Sequence, residues 1–268
     1  MPEKKQRRPL HVLCYGDSGC GKSTFTATFP KPILVQMFDP LGKEWPYLLQ
    51  APQHETTEEP TDERGNTIRV TNGLSAKGRL RIRIEHYLST EPENPVAWRN
   101  FRNYVGDLPE RIQRYGIQTL VVDSLTFMEL AVRKEQQYLL NPTAKSGAKA
   151  DSRQWYSASM NALEDHVMIR MAGYPINVVV IAHINESKDD SSGRVLFNPA
   201  APGQLGKKMP AGYAELYRAH VKRDLDGERR YVLQTQADNL YNAGSSIPAP
   251  DGCDNNYEAL WTLMEAEG

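Results

Sequence analysis

Hydrophobic residues fall along this chain in short, nearly unbroken runs separated by longer stretches of mixed polarity. Runs of that length mark strands buried on both faces, as in a parallel sheet covered by helices. The first two are His11-Val12-Leu13-Cys14-Tyr15 and Ile33-Leu34-Val35-Gln36-Met37-Phe38-Asp39. Gln118-Thr119-Leu120-Val121-Val122-Asp123-Ser124 and Ile176-Asn177-Val178-Val179-Val180-Ile181-Ala182-His183 follow. Between them the spacing turns helical. Ser23 to Phe29 can start a helix that Pro30 stops. Trp98, Phe101, Tyr104, Val105, Leu108 and Ile112 recur at helical intervals between Pro95 and Arg114, and Gly116 ends the segment. Phe127 to Leu140 is helix-like, and Gln154 to Met171 sets Trp155, Met160, Leu163, Val167 and Met171 on one apolar face.

The polar stretches predict connections and edges. Residues 51–75 hold Pro52, Pro60, Gly65 and Gly73 with an acidic cluster, and predict a long loop. Thr67 to Val70 and Arg79 to Glu85 alternate with period two, which predicts a half-exposed hairpin. Arg79, Arg81 and Arg83 would share one face of it, either as the solvated side of an edge strand or as a stripe for phosphates. Residues 141–151 and 185–212 read as loops, the second long enough to suggest function or disorder. Tyr213 to Lys222 and Arg229 to Thr235 read as two strands around the turn Asp224-Leu225-Asp226-Gly227. A short helix from Asn256 to Met264 closes the chain. Strands alternating with helices predict an α/β fold with a mostly parallel central sheet, helices on both faces and a C-terminal antiparallel hairpin.

Composition narrows the picture. The chain has 268 residues, 40% of them hydrophobic, enough for one large α/β domain or two small ones. Its formal net charge is −1, so a nucleic-acid surface would have to be local. Cys14, Cys20 and Cys253 lack metal-ligand spacing, and their odd number suits a reducing cytoplasm. The basic start, residues 1–8, is followed by no apolar signal-peptide core and reads as a solvated tail, with phosphate contact as the lesser reading. No apolar run is long enough to span a membrane.

The chemistry concentrates after the first strand. Gly16-Asp17-Ser18-Gly19-Cys20-Gly21-Lys22-Ser23 fits G-x-x-x-x-G-K-[ST], the phosphate-binding P-loop, with Thr24 next in line. Its glycines let successive N–H groups face phosphate oxygens, and the following helix start adds partial positive charge. Lys22 would reach the β- and γ-phosphates of ATP, and Ser23 would offer a hydroxyl to Mg²⁺. Cys20 reads as a small filler in this loop. Asp123, ending an apolar strand, has the Walker B pattern of a metal-holding acid, against the alternative of a helix cap. Asp39 ends the second strand, where ligands of open parallel sheets sit. It either orients an attacking water or closes the strand in an Asp-Pro turn. Trp45 and Tyr47 are within reach to stack on a base or to join the core. His183 ends its strand at the same rim and is a candidate sensor of the γ-phosphate.

Taken in order, G-D-S-G-C-G-K-S, F-D-P, L-V-V-D-S-L-T, N-V-V-V-I-A-H-I and P-G-Q-L-G-K-K-M-P, closed by an aromatic-flanked hairpin, resemble the RecA-like ATPases of bacteriophages. That group includes Sak-type single-strand annealing proteins. The resemblance covers roughly residues 9–240. It implies a RecA-like P-loop NTPase core, ATP and Mg²⁺, binding of single-stranded DNA, and assembly of identical subunits into rings or filaments. Carried onto this chain, it makes Lys22 and Ser23 the phosphate and metal residues, Asp123 the Walker B acid and His183 the sensor. It places DNA-contacting loops at 141–153 and 185–210, with Lys145, Lys149, Arg153, Lys188, Arg194, Lys207 and Lys208 as candidates. The chain departs from the pattern in having Asp39, with Glu44 further on, where the family has a catalytic glutamate. It also lacks an obvious trans-acting cation near its last strand; Arg218, Lys222, Arg223, Arg229 and Arg230 are substitutes.

The expectation is therefore an ATPase domain over 9–240, with a loop-and-hairpin insertion at 51–95 and a C-terminal tail over 241–268. It would work on single-stranded DNA in phage-type recombination or replication, alongside a single-strand-binding or other replication protein, in the host cytoplasm and away from membranes. An ATP-binding scaffold with little turnover and a small-molecule kinase are the alternatives.

Overall fold

The computed structural model describes residues 8–91, 93–140, 152–188, 195–203, 205–224 and 226–266. Lys145, Lys149, Arg194 and nearly all of the basic start lie outside the described residues.

The molecule is organised by a ten-stranded sheet. Its strands are β1 (His11–Tyr15), β2 (Ile33–Met37), β3 (Gln53–Pro60), β4 (Thr67–Leu74), β5 (Leu80–His86), β6 (Thr119–Asp123), β7 (Asn177–Ala182), β10 (Glu215–Arg223), β11 (Arg229–Gln234) and β12 (Cys253–Asp254). They lie in the order β12-β11-β10-β1-β7-β6-β2-β5-β4-β3. The run from β10 to β5 is parallel throughout, and antiparallel strands extend it at both ends. A separate antiparallel pair, β8 (Ile184–Lys188) and β9 (Val195–Pro199), leaves the end of β7.

The apolar runs form the middle of this sheet because both of their faces are covered. Alternate residues of one strand enter different cores. Leu120, Val122, Val178 and Val180 pack with Trp98, Phe101, Leu108 and Met128. Val121, Val179 and Ile181 point to the other side, with Phe25, Leu260 and Trp261. Helices α3 (Ala97–Val105), α4 (Leu108–Tyr115), α5 (Leu125–Leu140) and α6 (Ser152–Leu163) serve the first face. Helices α1 (Lys22–Thr26), α2 (Trp45–Leu48) and α8 (Tyr257–Ala266) serve the second. The expected layers, parallel sheet and β10–β11 hairpin are all present.

Several local expectations are corrected. Residues 51–75 are not a loop: β3 and β4 pair from Gln53–Leu74 to Pro60–Thr67. β3 is exposed along almost its whole length, so it has no hydrophobic pattern, and backbone pairing alone holds it. β5 is no edge strand, since it lies between β2 and β4. Arg83 is accordingly buried rather than solvated, with ion pairs to Glu59 at 2.6 Å and Glu85 at 3.0 Å. The helix expected from Pro95 to Arg114 breaks between α3 and α4 near Gly106 and Pro109, yet both pieces bury the same side, so the spacing runs on across the break. The helix expected to end at Met171 continues from Leu163 as a π-helical turn over Glu164–Arg170 and a 3₁₀ turn over Met171–Gly173. The stretch 185–212, expected as a loop, carries most of the β8–β9 pair, α7 (Leu205–Lys208) and a 3₁₀ turn. Residues 241–266, read as a tail, supply β12 to the sheet and α8 to the second core.

Among the described residues, no helix is long and apolar enough to cross a membrane.

Candidate active site

The loop Gly16–Ser23 connects β1 to α1 at the carboxyl ends of the parallel strands, beside the ends of β6, β7 and β2. Two glycines are sterically required there. A side chain on Gly16 would collide with the Ala219 carbonyl of β10. Gly21 has φ +92°, and a Cβ on it would come within 2.7 Å of Asn255 Nδ2 and 2.9 Å of the Tyr231 ring. The loop is closed on itself by Lys22, whose Nζ donates to Gly16 O at 2.8 Å and Asp17 O at 2.6 Å.

β6 brings Asp123 to this point. Ser23 Oγ donates to Asp123 Oδ2 at 2.8 Å, across 100 residues of sequence. Tyr47 OH donates to the same oxygen at 2.8 Å and lies 2.8 Å from Thr26 Oγ1. Asp123 O accepts the N–H groups of Phe38 (2.7 Å) and Asp39 (3.3 Å), which ties the end of β2 to the end of β6. The Asp123–Ser124 peptide bond is cis. Ser124 Oγ donates to Asp39 Oδ1 at 2.6 Å. Just after β7, His183 is held through its backbone N–H, which donates to Thr126 Oγ1 at 3.1 Å, and its Nδ1 has no hydrogen-bond partner.

These groups surround one cavity of about 370 Å³. Lys22, Ser23, Asp39, Asp123 and His183 all line it, together with Ser18, Gly19, Gly21 and Thr24 of the loop. Gly16, Asp17 and Cys20 belong to the loop but do not line the cavity; Gly16 and Cys20 are buried and Asp17 is exposed. The Cys20 thiol is buried, and burial raises its pKa, which suits the filler role and not that of a reactive thiolate.

Electrostatics at the cavity follow from burial. Removal from water, and then the neighbouring Asp39 carboxylate, raise the Asp123 pKa to about 6; the hydrogen bonds from Ser23 and Tyr47 and the charge of Lys22 oppose them. Burial, then the Lys22 charge, pushes His183 below the ordinary histidine range, so its ring is neutral near pH 7.

The donor set suits Mg²⁺, a hard ion that takes oxygen ligands and keeps several waters instead of using an all-protein cage. The hydroxyl of Ser23 and the carboxylate of Asp123 are oxygens of that kind, and they already touch. Among the described residues no three His, Cys, Asp or Glu side chains gather to hold a metal by themselves.

Other candidates lie elsewhere. Glu44 does not line the cavity; its carboxylate accepts the Gly42 N–H at 2.6 Å. Lys188 is exposed at the end of β8, and Arg153 is exposed on α6. Lys207 and Lys208 are in α7, where Lys208 Nζ is 3.4 Å from Glu164 Oε1. Arg218 lies 3.4 Å from the centre of the Tyr241 ring and donates to Gln234 Oε1 at 3.0 Å, and Arg230 pairs with Asp254 at 3.2 Å. Lys222, Arg223 and Arg229 are exposed on the β10–β11 hairpin. Among the described residues, no arginine lines the cavity.

The structure adds residues that sequence reasoning missed. Tyr47 enters the core as one of its two anticipated roles, but its hydroxyl also grips the Asp123 carboxylate, which apolar spacing cannot reveal. Ser124, Lys43 and Tyr231 join the site through folding alone, and Asn255 Nδ2 donates to Gly21 O at 3.0 Å from 234 residues away. Trp45, exposed at the rim, keeps the position of a base-stacking candidate.

A parallel sheet with β7 set between β1 and β6, and a glycine-rich loop leading from β1 into a helix, define a P-loop nucleotide-binding fold. The sequence matches the AAA-domain family over residues 8–247, and the chain belongs to that family. No curated protein sequence matches it. Among solved structures it is similar to an ATPase of the type III secretion system of pathogenic bacteria, with a TM-score of 0.45 and 14% identity over 79% of this chain and 52% of that one. This chain thus spans about half the length of the secretion ATPase. It is also similar to the KaiC-like protein PH0186 of Pyrococcus horikoshii, with a TM-score of 0.42 and 12% identity over 85% of this chain and 78% of that one. Likenesses this distant add nothing to what the strand order and the family match establish.

Proposed function

We propose that this ATPase-type domain binds ATP with Mg²⁺ in the cavity above Gly16–Ser23 and hydrolyses it. The observation that carries the reading is the Ser23–Asp123 hydrogen bond, which sets a hydroxyl and a carboxylate together beside the Lys22 ammonium. Lys22 exchanges the carbonyls of Gly16 and Asp17 for phosphate oxygens, and the loop N–H groups receive the rest of the phosphate charge. Ser23 and Asp123 would hold Mg²⁺, which would supply positive charge against the terminal phosphates. Asp39, oriented by Ser124, accepts a hydrogen bond from the attacking water. His183 is neutral and faces the same space, so it can donate to the terminal phosphate and report its presence to the β8–β9 pair that begins one residue later.

We extend the reading to an oligomer acting on single-stranded DNA, in the manner of the phage RecA-like proteins the motifs resemble, in recombination or replication within the cytoplasm. Among the described residues no arginine lines the cavity, which favours a cation supplied by a second subunit. Single-stranded DNA would then run by Arg153, Lys188, Lys207 and Lys208, with a replication or recombination protein as partner. Asp39 in place of a longer glutamate favours slow turnover, and a scaffold that binds ATP without hydrolysing it is the second reading.

Phosphate release should be measured with and without single-stranded DNA, for wild type and Lys22→Ala. Turnover stimulated by DNA and lost in the variant supports the proposal. Tight ATP binding without turnover in any condition supports the scaffold, and wild-type turnover in Lys22→Ala removes the mechanism.

A further inference from the structure

A second concentration of charge lies at the opposite end of the sheet. Lys31 precedes β2, and Arg79 and Arg81 flank the start of β5, which runs parallel to β2 with Ile33 opposite Ile82. Lys77 sits on the tight turn joining β4 to β5, where the Ser75 N–H donates to Arg79 O and the Gly78 N–H donates to Ser75 O, each at 2.8 Å. These four cations and Ser75 line one hollow of about 470 Å³. Asp39 lies at the other end of β2 from Lys31. Eight residues of extended chain put the hollow about 25 Å from the nucleotide cavity.

The hollow is built, not incidental. Its inner cations are tethered to main-chain carbonyls: Lys31 Nζ donates to Ala27 O at 3.0 Å and Arg81 Nε to Gln50 O at 3.0 Å. Its outer cations, Lys77 and Arg79, are exposed on the turn. Elsewhere in this fold Arg83 pairs with Glu59 and Glu85, and Arg133 with Glu129. Among the described residues, no carboxylate pairs with any of the four cations here, and no acidic side chain lines the hollow. Burial and the facing Arg81 hold the Lys31 ammonium below the ordinary lysine range. An arrangement of like charges without a counter-charge is relieved by a multivalent anion.

We propose that this hollow binds closely spaced phosphate groups, as presented by the backbone of a single nucleic-acid strand. The strand is favoured over a small free anion because Lys77 and Arg79 leave the rim open for a polymer to pass. The inference goes beyond the nucleotide site and does not rest on it.

The test uses the full chain and a short fluorescein-labelled oligo(dT), with affinity followed by anisotropy across a salt series. Lys77→Ala/Arg79→Ala should weaken binding tenfold or more. It should also flatten the log–log salt slope by about 1.4, at about 0.7 per lost single-strand phosphate contact. Lys22→Ala should leave this binding intact while abolishing ATP turnover, so failure here and failure of the nucleotide-site reading are separable. Both changed residues of the double variant are exposed, and its melting temperature should match wild type. Inorganic tripolyphosphate is the second probe, read by thermal shift in the Lys22→Ala background so that the P-loop does not contribute. A tripolyphosphate shift that needs Lys77 and Arg79, with oligo(dT) affinity unchanged in the double variant, would overturn the nucleic-acid assignment in favour of a free polyanion. No binding of oligo(dT) to wild type, or binding that the double substitution leaves unchanged whether or not it depends on salt, would overturn it as well; in the second case the strand lies by Arg153, Lys188, Lys207 and Lys208 and not in this hollow.

Discussion

Tyr47→Phe isolates one hydroxyl and asks how the Asp123 carboxylate stays charged. Tyr47 is fully buried, and its hydroxyl is one of two donors to Asp123 Oδ2, the other being Ser23. A hydrogen bond to a charged group contributes about 1.5–3 kcal/mol. Part of that is recovered when Thr26, which now bonds Tyr47, turns to other partners. A net loss near the bottom of this range corresponds to about one pKa unit. Burial and Asp39 already raise Asp123 to about 6, so the variant carboxyl should titrate near neutrality. Because turnover needs the ionised form to hold Mg²⁺, the acidic limb of kcat/KM against pH should move up by about one unit. Half-saturating Mg²⁺ near pH 7 should rise several-fold, and excess Mg²⁺ at alkaline pH should restore most of the rate. The assay is phosphate release over a pH series at several Mg²⁺ concentrations. A packing defect would instead lower the rate at every pH. Superimposable pH and Mg²⁺ curves for a folded Tyr47→Phe protein would refute the reasoning.

Further outcomes follow from other contacts. Asp123→Asn should keep nucleotide affinity within a few-fold of wild type and reduce turnover by about a hundredfold or more, on the scale of losing a charged group that acts on transition-state charge; equilibrium binding of a fluorescent nucleotide and phosphate release separate the two. The raised Asp123 pKa also predicts that its contribution to folding runs opposite to that of an ordinary ion-paired carboxylate. It favours the fold below the unfolded pKa near 4 and is lost as pH rises through about 6, so Asp123→Asn should remove part of a decline in melting temperature across that window. Arg83→Met should cost about 3 kcal/mol in a denaturant titration, because it removes the closest charge partner of the buried Glu85, leaving it Arg111 at 3.5 Å and the Tyr87 hydroxyl, and leaves the half-buried Glu59 with Tyr104 alone. Asn255→Ala should raise the KM for ATP while leaving melting nearly unchanged, since its side-chain amide donates to Gly21 O of the loop; an unchanged KM would make that contact passive.

How much of this was legible in the chain depended on which force was at work. The middle strands were read correctly because burial on both faces leaves an unbroken apolar run, as in Val178 to Ala182. The phosphate loop was equally plain, since a tight backbone and a lysine at fixed spacing are sequence properties. β3 was invisible because its residues are polar and exposed, and its order comes from pairing with β4. Arg83 was misjudged for a related reason. Alternation gives the face a residue occupies but not what covers that face, and here α3, α4 and β3 bring Tyr104, Arg111 and Glu59 around it. Glu44 could be placed near the loop by distance along the chain, but it turns back to the Gly42 N–H.

The C-terminal segment shows why a site of this kind cannot be assembled from motifs alone. The P-loop of this chain is not supported only by β1 and α1. Asn255 holds Gly21 O, the Tyr231 ring closes over Gly21, and the Tyr257 N–H donates to Thr28 Oγ1 at 2.8 Å. The Tyr257 ring then packs 4.8 Å from Phe29, just beyond α1. Each contact joins the loop, or the turn just after α1, to a residue more than 200 positions away, so none leaves a local signal. Their joint effect is mechanical: the loop N–H groups are aimed by a wall formed of β11, β12 and α8, and movement of that wall must move the phosphate site. Substitution of Asn255, which reaches the loop through its side chain and is not part of the apolar core, should therefore act on nucleotide affinity before it acts on overall stability, and that ordering distinguishes a supporting wall from a passive tail.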